Sequence, residues 1–285
     1  MVRGIFIPPV VGGKVNAPDC RVEVSSPPGR TLPTYPVGRM LNPGPILRGD
    51  VVPDSRKHRG PGPQDPTWFG PDAQPDLAAA VADLSWLLSR GYGGPSALKL
   101  VGDRYQLAER QRVAVNRSAC SNAARDARAA RQVDPRSLRG RPLRIDGFNL
   151  VLTLESALGG GVVLSCRDGC YRDVASMHGT YRRVEETRPA LELAALWLGE
   201  WGVGPCTWLL DAPVSNSGRL AAMIRATAPG WSAEVVPDPD ALLTRPGPVV
   251  ATADAGVLDR CGPWVSLARA LVEAGVPGAF VVDLR

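Results

Sequence analysis

At 285 residues the chain has room for two modest domains, and with 44% hydrophobic and 21% charged residues it falls in the ordinary range of globular proteins. No apolar run approaches the roughly 18 to 20 residues that a membrane span requires, and the first eleven residues lack the helical apolar stretch and the small-residue cleavage site of a secretion signal. The net charge of +5 conceals a division, because residues 90–144 carry 13 basic and 4 acidic side chains whereas residues 145–285 carry 11 and 16. A basic middle joined to an acidic end suggests a polyanion-binding surface beside a carboxylate-bearing module, although basic helix faces are also common as plain solvated surface.

Residues 1–75 hold 15 of the 28 prolines and repeated breakers such as Pro27-Pro28-Gly29 and Gly60-Pro61-Gly62-Pro63, so a disordered lead is expected there rather than a domain. Part of this lead is expected to precede the natural start, which would fall at Met40 or at a valine such as Val51. Helical periodicity begins at Asp76, with Leu77, Val81, Leu84, Leu87 and Leu88 on one face and Gly91 as a stop. Further helices are predicted from Pro95 to Gly102, from Ala108 to Ala119 and from Ser121 to Arg131, which together make a small basic helical domain over residues 76–141. The helix, turn and helix around Gly102 have looser spacing than a helix-turn-helix reader needs, so a helical cap with an electropositive surface is favoured over base reading. Arg125, Arg128 and Arg131 recur at helical spacing and form one stripe, an arrangement better suited to phosphate contact than to base reading.

From Pro142 the pattern changes to strands alternating with helices, which predicts an α/β domain over residues 142–285 with a mostly parallel sheet covered on both faces. Arg144 to Asn149 reads as a strand running into a loop, Arg167-Asp168-Gly169 as a hairpin turn, and residues 174–201 as one long helix. Further strands are expected at Cys206–Leu210, Ala233–Val236, Val249–Ala251 and Ala279–Val282, with a last helix near Val265–Ala274.

In parallel sheets ligands bind outside the carboxyl ends of the strands. Three apolar runs lead into aspartates there: Asp146, Asp211 and Asp254. Clustered carboxylates repel one another unless a cation neutralises them. With two histidines and no C-x-x-C pair, zinc lacks ligands, which leaves Mg²⁺ or Mn²⁺ as the natural ion. Each acid also has a bland role: Asp146 as a turn former, Asp211 as a loop cap, and Asp254 as an N-cap for residues 255–260. Glu185 or Glu186 on the long helix would complete the set, with Glu155 and Asp259 as weaker candidates. Arg182 and Arg183 suit either a phosphate beside the metal or a solvated face, and His178 suits capping or packing better than catalysis. Gly159-Gly160-Gly161 lacks the Lys-Ser/Thr of a phosphate loop and reads as a turn. Ser215 to Gly218 reads as either an anion site or a helix cap. The six scattered cysteines are most simply reduced thiols in a cytoplasm.

The segments Ile145-Asp146-Gly147-Phe148-Asn149, Leu209 to Ser215 and Ala251-Thr252-Ala253-Asp254 resemble the PIN-like nuclease superfamily, especially its NYN branch. That resemblance implies a metal-dependent ribonuclease fold with Asp146, Asp211 and Asp254 as ligands and Glu185 or Glu186 as the helix-borne acid. The segments Leu84 to Tyr92, Ser96 to Tyr105 and His178 to Arg183 resemble a prokaryotic family known as domain of unknown function 434, over about Ser55 to the C-terminus. The expectation is therefore a metal-dependent endoribonuclease whose basic helices grip RNA. The alternatives are a non-catalytic RNA-binding or ribosome-associated module and a phosphatase acting on a small substrate.

Overall fold

A computed structural model describes residues 57–175 and 181–285. The chain runs α1 (Asp65–Trp68), α2 (Gln74–Ser89), α3 (Gly94–Arg104), α4 (Glu109–Ser118) and α5 (Asn122–Ala129), then β1 (Leu143–Asp146), α6 (Gly147–Leu158), β2 (Val163–Ser165), β3 (Tyr171–Asp173) and α7 (Thr187–Glu200). It continues through β4 (Cys206–Asp211), α8 (Ser217–Thr227), β5 (Trp231–Val236), α9 (Pro239–Leu243), β6 (Val249–Ala251), α10 (Ala255–Leu258), β7 (Trp264–Val265), α11 (Leu267–Gly275) and β8 (Val281–Asp283). The expected α/β architecture is present. Five strands form an all-parallel sheet in the order β5-β4-β1-β6-β7, and a smaller sheet has the order β3-β2-β8, with β2 antiparallel to β3 and parallel to β8.

The apolar runs explain the large sheet. Ile145, Trp208, Leu210 and Ala251 are buried in strands covered on both faces, where parallel sheets demand near-continuous hydrophobicity. Strand order also fixes where a ligand can enter. The chain moves from β1 to β4 and β5 on one side, then returns to place β6 and β7 on the other, so the carboxyl ends of β1 and β6 flank a topological switch point.

The helical segment has no core of its own. Leu77, Leu84, Val101 and Val115 pack with Leu164, Val282 and Leu284 of the small sheet, so residues 76–131 complete a second apolar layer around β2 and β8. Proline sits in the first turn of α2 and α3, where its missing N–H costs nothing, and Ser121 caps α5 by accepting from the Ala124 N–H at 3.1 Å.

Several expectations need correction. Residues 57–75 of the expected lead pack onto the fold: Asp65 is fully buried and takes a two-pronged bond from Arg110, and Arg59 is ion-paired with the buried Glu155 at 3.0 Å. The rest of that lead, with Met40 and Val51, lies outside the described residues. No helix spans residues 174–201. Residues 171–173 are strand and α7 begins at Thr187, which places Pro189 in its first turn; in the interior of a longer helix that proline would remove a hydrogen bond and clash with the preceding turn. The segment after Asp146 is a helix, α6, rather than a loop. Ten of its twelve residues are buried, so it shows no polar face to mark it as amphipathic.

Candidate functional site

The acids that end the strands line one cavity of about 450 Å³ at the switch point: Asp146, Asp211 and Asp254, joined by Asp240 from the first turn of α9. Asp146 ends β1 and Asp211 ends β4, its parallel neighbour, while Asp254 stands just beyond β6 on the other side of β1. The bland roles also hold. Asp146 caps α6 through a long 3.4 Å bond from the Asn149 N–H, and Asp254 caps α10 by accepting from the Val257 N–H at 2.9 Å. A carboxylate has two oxygens, so capping with one leaves the other available.

Two short segments interlock at the floor of the cavity. The Thr252 hydroxyl donates to Asp146 Oδ2 at 2.8 Å and accepts from the Asp254 N–H at 3.0 Å, while Asn149 Oδ1 accepts from the Ala253 N–H at 3.2 Å. Gly147 makes this closeness possible. A Cβ there would lie 2.5 Å from Leu210 Cδ2 and 2.9 Å from the Leu209 carbonyl oxygen, so only glycine lets the chain turn into α6 against β4. Burial, reinforced by the charges of Asp254 and Asp240, raises the Asp146 pKa to about 7 against the Thr252 bond that lowers it. Burial also raises Asp211, with Asp238 adding to it, and raises Asp240 together with the charges of Asp254 and Asp211.

The facing wall is basic. Asn116 and Arg117 of α4, together with Arg128 and Arg172, line the same cavity. Arg172 donates two bonds to Asp168, at 2.8 and 2.7 Å, and one to the Ala253 carbonyl at 2.7 Å. Arg128 donates to Asp168 at 2.6 Å, to Asp259 at 2.8 Å and to the Ala255 carbonyl at 3.2 Å. Two buried guanidinium groups thus hold the carbonyls on either side of Asp254, and Asp168 between them has its pKa lowered to about 2 by both, against the effect of burial.

The remaining residues singled out from the sequence are placed elsewhere. The arginine stripe is not a free phosphate grip. Arg128 is buried in the ion-pair network, Arg131 donates to the Leu258 and Cys261 carbonyls, and Arg125 is paired with Asp126. Helical spacing told which arginines share a face, and Trp264, whose Nε1 donates to the Arg128 carbonyl at 2.8 Å, shows that this face is turned inward. Glu185 and Glu186 do not line the acidic cavity. Glu186 accepts from His58 at 2.9 Å and from the Arg59 N–H at 3.2 Å, and Glu185 lies 3.6 Å from His58. Glu155 is sealed by Arg59, Tyr181 and Thr187. Arg182 and Arg183 are exposed beside α8 and do not line the acidic cavity, and His178 lies outside the described residues. Asp240 and Asp173 are the lining acids that sequence reasoning missed, and Asp173, at the end of β3, is taken up by Arg117. Asp240 stands four residues beyond the end of β5, so a search for aspartates just past each strand would have found it.

As donors the four aspartates suit a hard divalent cation, which takes oxygen ligands. Among the described residues no three His, Cys, Asp or Glu side chains are already grouped to hold a metal ion. Mg²⁺ is commonly held by one or two carboxylates, with waters and substrate phosphate completing its shell, so this wider arrangement fits such an ion.

Two family models match successive parts of the chain. A family model described as a protein of unknown function (DUF434) matches residues 76–131, and one described as a domain of unknown function (DUF5616) matches residues 135–270. An uncharacterised protein of Methanocaldococcus jannaschii is 30% identical over 158 residues, which cover 55% of this chain and 76% of that protein. No solved structure matches. The relative is similar over three quarters of its own length and the two family models follow one another along the sequence, so the chain belongs to this DUF434 and DUF5616 family.

Proposed function

We propose that the protein is a metal-dependent ribonuclease that hydrolyses phosphodiester bonds in RNA at the Asp146 cavity. The observation that carries this reading is the convergence of Asp146, Asp211, Asp240 and Asp254 on one cavity at the switch point of a parallel sheet. The resemblance of the Asp146 and Asp254 segments to PIN-like, NYN-type nucleases supports the same chemistry. Bound Mg²⁺ or Mn²⁺ would supply Lewis acidity at the phosphoryl group and lower the pKa of an attacking water.

The chain's own groups divide the remaining work. Asp146 and Asp254 would hold the ion, and Thr252 donates to Asp146 Oδ2 and so orients its carboxylate. Asp211 and Asp240 line the same cavity and add negative charge there. Burial raises the Asp146 pKa to about 7, so this carboxyl must give up its proton before it can hold an ion. Arg117 lines the same cavity, where its guanidinium is held by Asp173 and the Ala175 carbonyl, and contributes positive charge to the wall. The described cysteines are free and buried, including Cys166 and Cys170 on one hairpin, which supports a reducing, cytoplasmic setting.

The test is cleavage of single-stranded and structured RNAs by the purified chain with Mn²⁺ at pH 8, beside Asp146→Asn. Cleavage by the wild type that falls to background in the variant is expected. Equal rates, or no cleavage by either, would count against the reading. The absence of a preformed group of three ligands among the described residues favours one second reading, an RNA-binding module without catalysis, which expects binding indifferent to Mn²⁺.

A further inference from the structure

Most arginines near the acidic cavity are already committed to carboxylates or carbonyls, as the α5 stripe shows. Among the described residues Arg183 and Arg219 differ, because both are exposed and neither has an ion-pair or hydrogen-bond partner. They line one cavity of about 630 Å³ with Tyr181, Arg182 and Asn216 that no carboxylate lines, while Arg183 also borders a second cavity lined by Glu185 and Glu192. Like charges held together without a counter-charge repel one another, and a polyanion removes that cost. Guanidinium groups suit this task, since they are weakly hydrated and match phosphate oxygens in geometry.

The position of this cavity relative to the acids follows from three bonds. The Ser217 hydroxyl donates to the Asp211 carbonyl at 2.5 Å, which folds the β4–α8 connection back so that the start of α8, two residues before Arg219, touches the acidic rim. The Tyr181 N–H donates to the Ser215 carbonyl at 3.3 Å, and the Asn216 side-chain amide donates to the Tyr181 carbonyl at 2.8 Å. Asn216 makes that bond from a left-handed backbone with φ of 71°, a conformation asparagine tolerates better than most residues. The segment carrying Arg183 is therefore pinned to the same connection that carries Asp211 at one end and Arg219 at the other. The other exposed arginines whose side chains have no partner among the described residues, Arg136, Arg139, Arg141 and Arg245, precede β1 or β6 and so lie towards the opposite end of the sheet.

We infer that Arg183 and Arg219 form the docking track for the RNA backbone, receiving the phosphates next to the one held in the Asp146 cavity. This rests on the ribonuclease reading for its substrate class, and it moves the RNA contact from the α5 stripe to the α7–α8 side of the sheet. The track recognises phosphate rather than base, since it offers cations and no aromatic stacking platform of exposed rings.

The experiment is binding of a 5′-labelled 20-nucleotide uridine RNA to the full chain in EDTA, followed by fluorescence anisotropy across a salt series. Arg183→Gln with Arg219→Gln is compared with wild type and with Arg136→Gln plus Arg139→Gln. Each single-strand phosphate contact contributes about 0.7 to the slope of log affinity against log salt, so the track variant should lower that slope by about 1.4. Between 50 and 200 mM salt the wild type should then lose about sevenfold more affinity than the track variant. Both track residues are exposed, so an unchanged melting temperature and unchanged Mn²⁺ binding are expected alongside. Wild-type binding with the same slope in the track variant overturns the track and leaves the ribonuclease reading standing. An equal loss in the Arg136 and Arg139 variant also overturns the track, because the effect would then be one of net charge. No RNA binding by wild type overturns both.

Discussion

Replacing Asp168 with asparagine removes one charge from the buried network and preserves its shape. In the wild type Asp168 accepts three bonds from Arg128 and Arg172 at 2.6 to 2.8 Å, with its side chain 1% exposed. Its pKa is lowered from 3.8 to about 2, and that difference alone makes neutralisation at pH 7 cost about 2 kcal/mol. Two buried guanidinium groups then lose their shared counter-charge, and breaking a buried pair generally costs about 3 to 5 kcal/mol. The Ala253 and Ala255 carbonyls and Asp259 still accept from the arginines, which places the expected loss near the lower end, about 3 kcal/mol. For a fold of this size that is a drop in melting temperature of about 6 to 12 °C. The sign with pH is fixed as well. A carboxylate with a depressed pKa contributes stability that is present above its ordinary value of 3.8 and is lost as pH falls through about 2. Thermal and urea unfolding of both proteins should therefore give a gap that is constant from pH 5 to 7 and closes towards pH 2. A variant melting within about 1 °C of wild type, or a gap that ignores pH, would refute the assignment of a charged, structural Asp168.

Gly147→Ala should cost about 1 to 3 kcal/mol in urea unfolding, because its Cβ meets Leu210 and the Leu209 carbonyl; a neutral result would mean that α6 can shift away from β4 without penalty. Mn²⁺ affinity should fall about tenfold per pH unit below 7, as the proton on Asp146 competes with the ion, and a flat titration between pH 5.5 and 7 would exclude Asp146 as a ligand. Arg59→Met leaves Glu155 buried without its cation. Burial already raises the Glu155 pKa, and a raised carboxyl favours the fold only while protonated, so this variant should lose stability as pH rises and regain much of it in acid. Circular dichroism melts at pH 5 and pH 8 check this, and equal losses at the two values would contradict it.

The parts of the site that could be read from sequence were those set by short-range pattern. Strand-end aspartates are visible because an apolar run and its terminal acid are neighbours in the chain, and Asp146, Asp211 and Asp254 line one cavity. Asp240 lies four residues past the end of β5, in the first turn of α9, where no apolar run leads straight into it. What misled was information that arrives only from distant segments. The α5 arginines are paired by Asp168, 40 residues on from Arg128, and by Asp259 and the α10 carbonyls more than 120 residues on, and no local pattern records that. Glu186 is likewise taken by His58 and Arg59, 127 or more residues away. The fold shows the same division. Helices α2 to α5 follow from periodicity and stop signals, whereas α6 is buried nearly all round and lacks the polar face that periodicity detects. Pro189 was the local sign that a helix over residues 174–201 could not be continuous.

The central claim, that the Asp146 cavity holds a divalent ion, is tested most directly by calorimetric titration of Mn²⁺ into the wild type and Asp146→Asn at pH 8. A buried carboxyl with a raised pKa destabilises the fold when ionised, so the metal-free variant should melt higher than wild type at this pH, which separates loss of a ligand from loss of structure. The account predicts saturable binding by wild type that weakens by at least about tenfold in the better-folded variant. Undetectable binding by wild type, or equal affinity in the two proteins, would contradict it.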